Sequence, residues 1–218
     1  MVKISEVENN SLASQKGIKT GDKIITINGR KMSDYIDFQF ETAEPYFEMT
    51  VKKRSGEIIN YEFERTFNQR LGIKFKKNIF DGLKTCKNDC IFCFVKQQPN
   101  TMRKSLLKKD DDYRFSFLQG SFITLTNLTD HDWQRIIDQR LSPLYISVHT
   151  TNPELRQKMM KNPRAADILK DLKKLSDNNI KFHTQIVLCP GLNDEEELDR
   201  TIRDLFQFYP SILSLGIV

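Results

Sequence analysis

The second half of the chain alternates apolar runs with capped helical segments, and that alternation leaves few folds open. FITLTN precedes LTDHDWQRIIDQR, LYISVHT precedes ELRQKMM, KFHTQIVLCP precedes EEELDRTIRDLFQFY, and ILSLGIV ends the chain. The runs are nearly continuous in Leu, Ile, Val and Phe, as in strands buried on both faces. Helix starts are marked by Thr129 with Asp132, Asn152-Pro153, Asn162-Pro163 and Asn193 with Glu196. Strand followed by helix, repeated, predicts an α/β fold: a parallel sheet covered by helices. A last strand without its covering helix predicts the front part of a longer polypeptide.

The first 66 or so residues follow another pattern. VKISEV reads as a strand, SLASQKGI as a helix stopped by Gly17, and KIITING as a strand ending in an Asn28-Gly29 turn. YIDFQFETA is ambiguous between helix and strand. YFEMTVKK and EIINYEFER alternate about Ser55-Gly56 as a hairpin. The expectation is a small strand-rich module over residues 1–68, with a parallel α/β domain over residues 69–218.

With 39% hydrophobic and 29% charged residues, the 218-residue chain has the composition of an ordinary folded protein. A net charge of +5 tolerates acidic ligands but gives no indication of nucleic acid binding. The opening MVKISEVENN is too charged for a signal peptide, and no apolar run reaches the roughly 20 residues of a membrane span. The expected compartment is the cytoplasm, with no membrane partner, where cysteines stay reduced.

Three of the four cysteines, Cys86, Cys90 and Cys93, fall within CKNDCIFC, which places three thiolates on one loop. By the predicted order this loop follows a first strand, at the sheet edge where parallel α/β proteins carry their sites. Two metal centres suit it. An iron–sulfur cluster takes thiolates at short spacings. Zinc uses the Cys90–Cys93 knuckle but needs further ligands, from Cys189, His131, His149 or His183. Redox or incidental thiols are the third reading. Elsewhere, Cys189 reads as a small buried hydrophobe or as a substrate or auxiliary-cluster contact. Asp110, Asp111 and Asp112 read as a solvated charge run, or as acids ahead of a strand that order a lid by pairing with Arg103, Lys108, Lys109 or Arg114.

The arrangement Cys86-x3-Cys90-x-Phe92-Cys93 resembles the cluster motif of the radical S-adenosylmethionine enzymes. The resemblance implies a [4Fe-4S] cluster on Cys86, Cys90 and Cys93, with S-adenosylmethionine on the fourth iron. It also implies reductive cleavage to methionine and a 5′-deoxyadenosyl radical that attacks an unknown substrate. An oxidoreductase of this type draws on a reductant protein such as a ferredoxin or flavodoxin. The implied fold is a partial parallel (β/α) barrel, a relative of the TIM barrel. In it, Phe92 packs beside the cluster. The Gly-Gly-Glu position after the second strand is taken by Gln119-Gly120-Ser121-Phe122, without its acid. Gly120 and Ser121 become cofactor contacts, with Thr124, Thr126 and Asn127 as replacement polar groups. Ser147 and His149 share one strand face and resemble cofactor-facing positions, with a bond from His149 to a neighbouring backbone group as the alternative. His183 and Gln185 share a face in the same way, as further site candidates. Pro190-Gly191 with Asn193-Asp194 resembles the turn beside the adenosyl group.

The longer run CIFCFVKQQPNTMRKSLLKKDDDYRFSFLQGSFITLTNLT resembles the bacterial DUF512 family. Its members join an N-terminal PDZ-like module to a radical S-adenosylmethionine-like iron–sulfur domain, and they extend well beyond this chain's length. SLASQKGIKTGDKIITINGRKM resembles the helix–turn–strand core of bacterial PDZ domains, which bind a peptide or protein terminus by strand addition. The carboxylate-binding loop would lie ahead of Val2. The groove is therefore expected to be incomplete, with the module packed on the barrel, unless Leu71-Gly72-Ile73 supplies the loop from the module's other end. Three functions follow: a radical enzyme, an iron–sulfur electron-transfer or redox-sensing protein that leaves S-adenosylmethionine intact, and a peptide-binding scaffold with a zinc-stabilised domain.

Overall fold

A computed structural model describes residues 1–66, 69–99 and 101–218. The chain forms two compact units, Met1–Gly82 and Leu83–Val218. The boundary expected at residue 68 lies outside the described residues.

The first unit contains β1 (Val2–Lys3), β2 (Glu6–Val7), α1 (Leu12–Gln15), β3 (Lys23–Ile27), α2 (Tyr35–Glu41), β4 (Tyr46–Lys52), β5 (Ile58–Glu64) and β6 (Ile73–Lys74). An antiparallel sheet runs β1-β3-β4-β5, and β2 pairs antiparallel with β6. The β4–β5 hairpin turns about Ser55-Gly56 as expected. The ambiguous segment is helical because Asp34 caps it, accepting from the Ile36 and Asp37 backbone N–H groups. Its strand-like alternation fails at Phe40, which is 46% exposed while Ile36 and Phe38 are buried.

VKISEV is two strands, not one. β1 joins the large sheet and β2 turns away to pair with β6. The β6 segment approaches closely at Gly72, where φ is +76° and an added Cβ would stand 2.2 Å from Ser11 Cβ. Only glycine fits there. Leu71, Ile73, Phe75 and Phe80 pack with Ile4, Ala13, Ile24, Phe38 and Phe47 in one apolar core.

The second unit holds α3 (Tyr113–Gln119), α4 (Asp130–Asp138), β7 (Leu144–Ser147), α5 (Pro153–Met160), a 3₁₀ turn (Pro163–Asp167), α6 (Ile168–Asp177), β8 (Phe182–Ile186), α7 (Glu195–Phe206) and β9 (Ile212–Ile217). The strands lie in the order β7-β8-β9, all parallel, so the expected sheet forms with a helix in each crossover. The α4 capping box uses Thr129 and Asp132, and α5 starts on Asn152-Pro153. Among the described residues, no helix is long and apolar enough to cross a membrane.

Four local expectations are corrected. FITLTN contributes one parallel bridge, Ile123 with Ile146, and no full strand. No barrel strand leads into the cysteine loop among the described residues. Thr85 forms an antiparallel bridge with Asp110, because residues 84–86 bond back to the far end of their own loop through Cys86 N–H to Lys109 O and Asp111 N–H to Lys84 O. The three acids stand ahead of a helix. Asp112 caps α3, and its carboxylate takes Arg114 Nε at 2.8 Å and Nη2 at 2.7 Å, all within buried surface. At α7 the N-cap is Asp194, since Asn193 is turned inward to hold backbone.

Candidate functional site

The loop carrying Cys86, Cys90 and Cys93 is fixed from two sides. Cys86 N–H donates to Lys109 O, while Asp89 N–H and Ile91 N–H donate to the Met160 and Met159 carbonyls at the end of α5. Those carbonyls are unclaimed by the helix itself, so the helix terminus and the loop satisfy each other. All three thiols are free and half-buried. Burial pushes the Cys90 thiol up to about 11, with the neighbouring Cys86 and Cys93 sulfurs adding to the shift. Burial also raises Cys86, helped by Asp111. The Cys86 and Cys93 sulfurs stand close enough to Cys90 to oppose its ionisation, and three thiols on one loop are a donor set whose charge a multivalent cation would offset. Among the described residues, no three His, Cys, Asp or Glu side chains converge as on a single ion. A cluster needs no such convergence, because each thiolate binds a different iron.

Phe92 lies against the His149 ring, with centroids 4.4 Å apart. His149 follows β7 with φ at +68°, and its Nδ1 accepts from the Val187 backbone N–H at 3.2 Å. Burial, with the Arg156 charge, drives its pKa down to about 3, so the ring is neutral and Nδ1 is an acceptor. The histidine is thus a buried wall of the loop, positioned by backbone.

Thr124 and Thr126 reach the loop through Asn88. Asn88 Nδ2 donates to Thr124 Oγ1 at 2.9 Å, and Thr126 Oγ1 donates to Asn88 Oδ1 at 3.0 Å. Asp111 accepts from Thr124 N–H and Oγ1, both at 2.6 Å. Asn127 Nδ2 donates to the carbonyls of Asp111 and Thr85, at 2.9 and 3.4 Å. That orients the amide and leaves its Oδ1 buried with no hydrogen-bond partner among the described residues.

Ser147 and Gln185 are register neighbours on β7 and β8, and His183 of the same face stacks on Tyr145. His183 Nδ1 also meets Ser214 Oγ at 2.8 Å. Gly120 is the left-handed C-cap of α3, where an added Cβ would stand 3.3 Å from the Tyr145 ring. Gly120 and Ser121 precede the Ile123 bridge, whereas the cysteine loop bonds Thr124 and Thr126 beyond it. The fold therefore gathers Cys86, Cys90, Cys93, Phe92, Thr124, Thr126 and His149, and sets Gly120 and Ser121 toward the other end of that segment. Half-buried Cys189 keeps to its own turn, its backbone N–H donating to Asn193 Oδ1 at 2.7 Å and its sulfur near Val187 O.

Two residues here carry weight that the sequence did not signal. Asn88, between the first two cysteines, reads as ordinary loop polarity yet is only 2% exposed. Arg156, 1% exposed, donates to the carbonyls of Val148, Ala165, Ser147 and Thr124. A lone Arg in ELRQKMM looks like a solvated helix face, and only its burial shows otherwise.

In the first unit, Tyr35, Phe38, Arg70, Leu71, Gly72 and Ile73 are among the residues lining a cavity of about 470 Å³ between α2 and the β6 segment. Leu71-Gly72-Ile73 thus borders a groove from the module's far end.

The model of the radical SAM-like domain family matches residues 65–215. The model of the PDZ domain family matches residues 1–40. A crystal structure of a radical SAM methyltransferase from Sphaerobacter thermophilus is similar with a TM-score of 0.34 and 10% identity, over 94% of this chain and 69% of that one. No curated protein matches the sequence.

Proposed function

Since the chain belongs to the radical SAM-like domain family, with a PDZ-like module in front, we propose that it is a radical S-adenosylmethionine-type enzyme whose Cys86, Cys90 and Cys93 hold a [4Fe-4S] cluster. When bound, such a cluster supplies the electron that splits S-adenosylmethionine into methionine and a 5′-deoxyadenosyl radical. The chain's own residues prepare the place for it. Three thiols stand on one loop, pinned by the α5 carbonyls and bordered by the Phe92 and His149 rings, which exclude water from one side. The partnerless Asn127 Oδ1 is an acceptor without a donor, and an amino group of the cofactor would satisfy it. The Gln119-Gly120-Ser121-Phe122 run has no acid to make that contact. The observation that carries the reading is the placement of three free cysteines on one loop, pinned by the α5 carbonyls, within the matched domain.

Anaerobic reconstitution with iron and sulfide, then EPR of the reduced protein with and without S-adenosylmethionine, tests it. The expected result is a [4Fe-4S] signal that the cofactor perturbs, with 5′-deoxyadenosine released on turnover. Cys93→Ala should abolish the cluster, while Cys189→Ala leaves it in place. A cluster indifferent to S-adenosylmethionine would replace this reading with electron transfer or redox sensing. Tightly bound zinc with no cluster would replace it with a scaffold.

A further inference from the structure

The Asn88 amide is saturated. Its Nδ2 donates to Thr124 Oγ1 at 2.9 Å and to Cys86 Sγ at 3.4 Å. Its Oδ1 accepts from Thr126 Oγ1 at 3.0 Å and Asn162 Nδ2 at 2.6 Å. Its carbonyl oxygen accepts from Lys109 Nζ. Its neighbours fix the orientation of the amide. The Thr124 hydroxyl has one proton, and it goes to Asp111 Oδ2, which leaves Thr124 Oγ1 as an acceptor toward Asn88. Asn162 Nδ2 can only donate, since Asn162 Oδ1 is taken by the Arg164 N–H, so a flipped Asn88 amide would set two amide N–H groups against each other. One N–H is therefore held on the Cys86 sulfur. This exceeds what shaping the loop requires, which the backbone bonds to Lys109, Met159 and Met160 already provide.

We propose that Asn88 is a positioning residue that aims an N–H donor at the Cys86 sulfur, and that this bond raises the reduction potential of the centre that Cys86 ligates. The inference rests on the loop's reading as a cluster site. The physical basis is charge. Reduction adds an electron that is partly carried by the sulfurs, and an N–H dipole aimed at a sulfur stabilises the more negative state. Asn162, Thr126, Thr124 and Asp111 hold that dipole still, so it need not reorganise when the electron arrives.

The test is the midpoint potential of the reconstituted full chain, wild type against Asn88→Ala and Asn88→Asp. The aspartate keeps the acceptors for Thr126 and Asn162 but removes both N–H donors and adds charge. Both variants should be harder to reduce, alanine by about tenfold in the reduced-to-oxidised ratio at fixed poise, or about 59 mV for one electron. Aspartate should move further in the same direction. An unchanged potential in variants with full cluster occupancy would overturn the proposal. If the variants lose the cluster, pulsed EPR of the reduced wild type labelled with ¹⁵N-asparagine decides. A ¹⁵N coupling supports the bond, and its absence refutes it. If the wild type takes up no cluster, the function proposed above fails. The Asn88–Cys86 bond is then judged in the metal-free chain by NMR. Side-chain amide protons of Asn88 that exchange slowly and shift in Cys86→Ala uphold it, and fast exchange sinks it.

Discussion

Burial of charge sets the chemistry of single residues in the second unit. Asp171 is 9% exposed, and burial, with Asp167 nearby, lifts its pKa from 3.8 to about 6, while Arg156, Arg164 and Lys170 pull it down. The folded chain thus holds the Asp171 proton more tightly than the unfolded chain does. The destabilisation is absent below pH ~4, grows as pH rises toward 6, and is complete above it. Asp171→Asn should therefore stabilise the protein at pH 7.5 by up to about 3 kcal/mol and change little at pH 3.5. Urea unfolding at the two pH values measures this, and equal shifts at both would contradict the assignment.

At the scale of elements, the Thr124–Asn127 segment, the end of β7, the 3₁₀ turn and α5 are joined by a single side chain. Arg156 reaches from α5 to carbonyls of Thr124, Ser147, Val148 and Ala165. Four carbonyls from separate stretches of the chain thereby meet one buried guanidinium. Burial lowers the guanidinium pKa to about 10, so it stays charged near neutrality. Lysine carries the charge but offers no planar fork. Arg156→Lys should cost about 3 kcal/mol or more in urea unfolding, from carbonyls left bare in a buried place. A loss below about 1 kcal/mol would mean that the fork is dispensable. The α3 helix illustrates a similar local effect. Asp112 and Arg114 close a buried pair that turns an apparently irregular acidic run into a helix start.

At the scale of the molecule, two units divide the chain, and the border is a matter of packing. The matched radical SAM-like region begins at residue 65, whereas the compact first unit extends to Gly82. Leu71 and Ile73, each 6% exposed, belong to the first unit's core, and β6 completes the pairing with β2. A fragment of residues 1–82 should unfold cooperatively. One ending at residue 68 gives up two buried aliphatic side chains, worth about 3–6 kcal/mol together. Thermal melts of the two fragments test this, and equal stability would place the border at the earlier residue.

By itself, the sequence determined what depends on near neighbours. The parallel strand–helix alternation, the Thr129–Asp132 capping box, the Asn152-Pro153 helix start and the β4–β5 hairpin are all written in residues a few positions apart. The cysteine spacing belongs with them, because one short loop carries all three. Only the tertiary structure decided which distant groups meet that loop. Asn88 contacts Thr124, Thr126 and Asn162 across separations of 36, 38 and 74 residues. Gly120 closes α3 as its left-handed cap, and that helix depends on a buried pair whose burial no local pattern announces. Hydrogen-bond satisfaction inside a protein is a property of the folded interior. Residues that look like surface polarity in the chain become, at Asn88 and Arg156, the groups that fix the site.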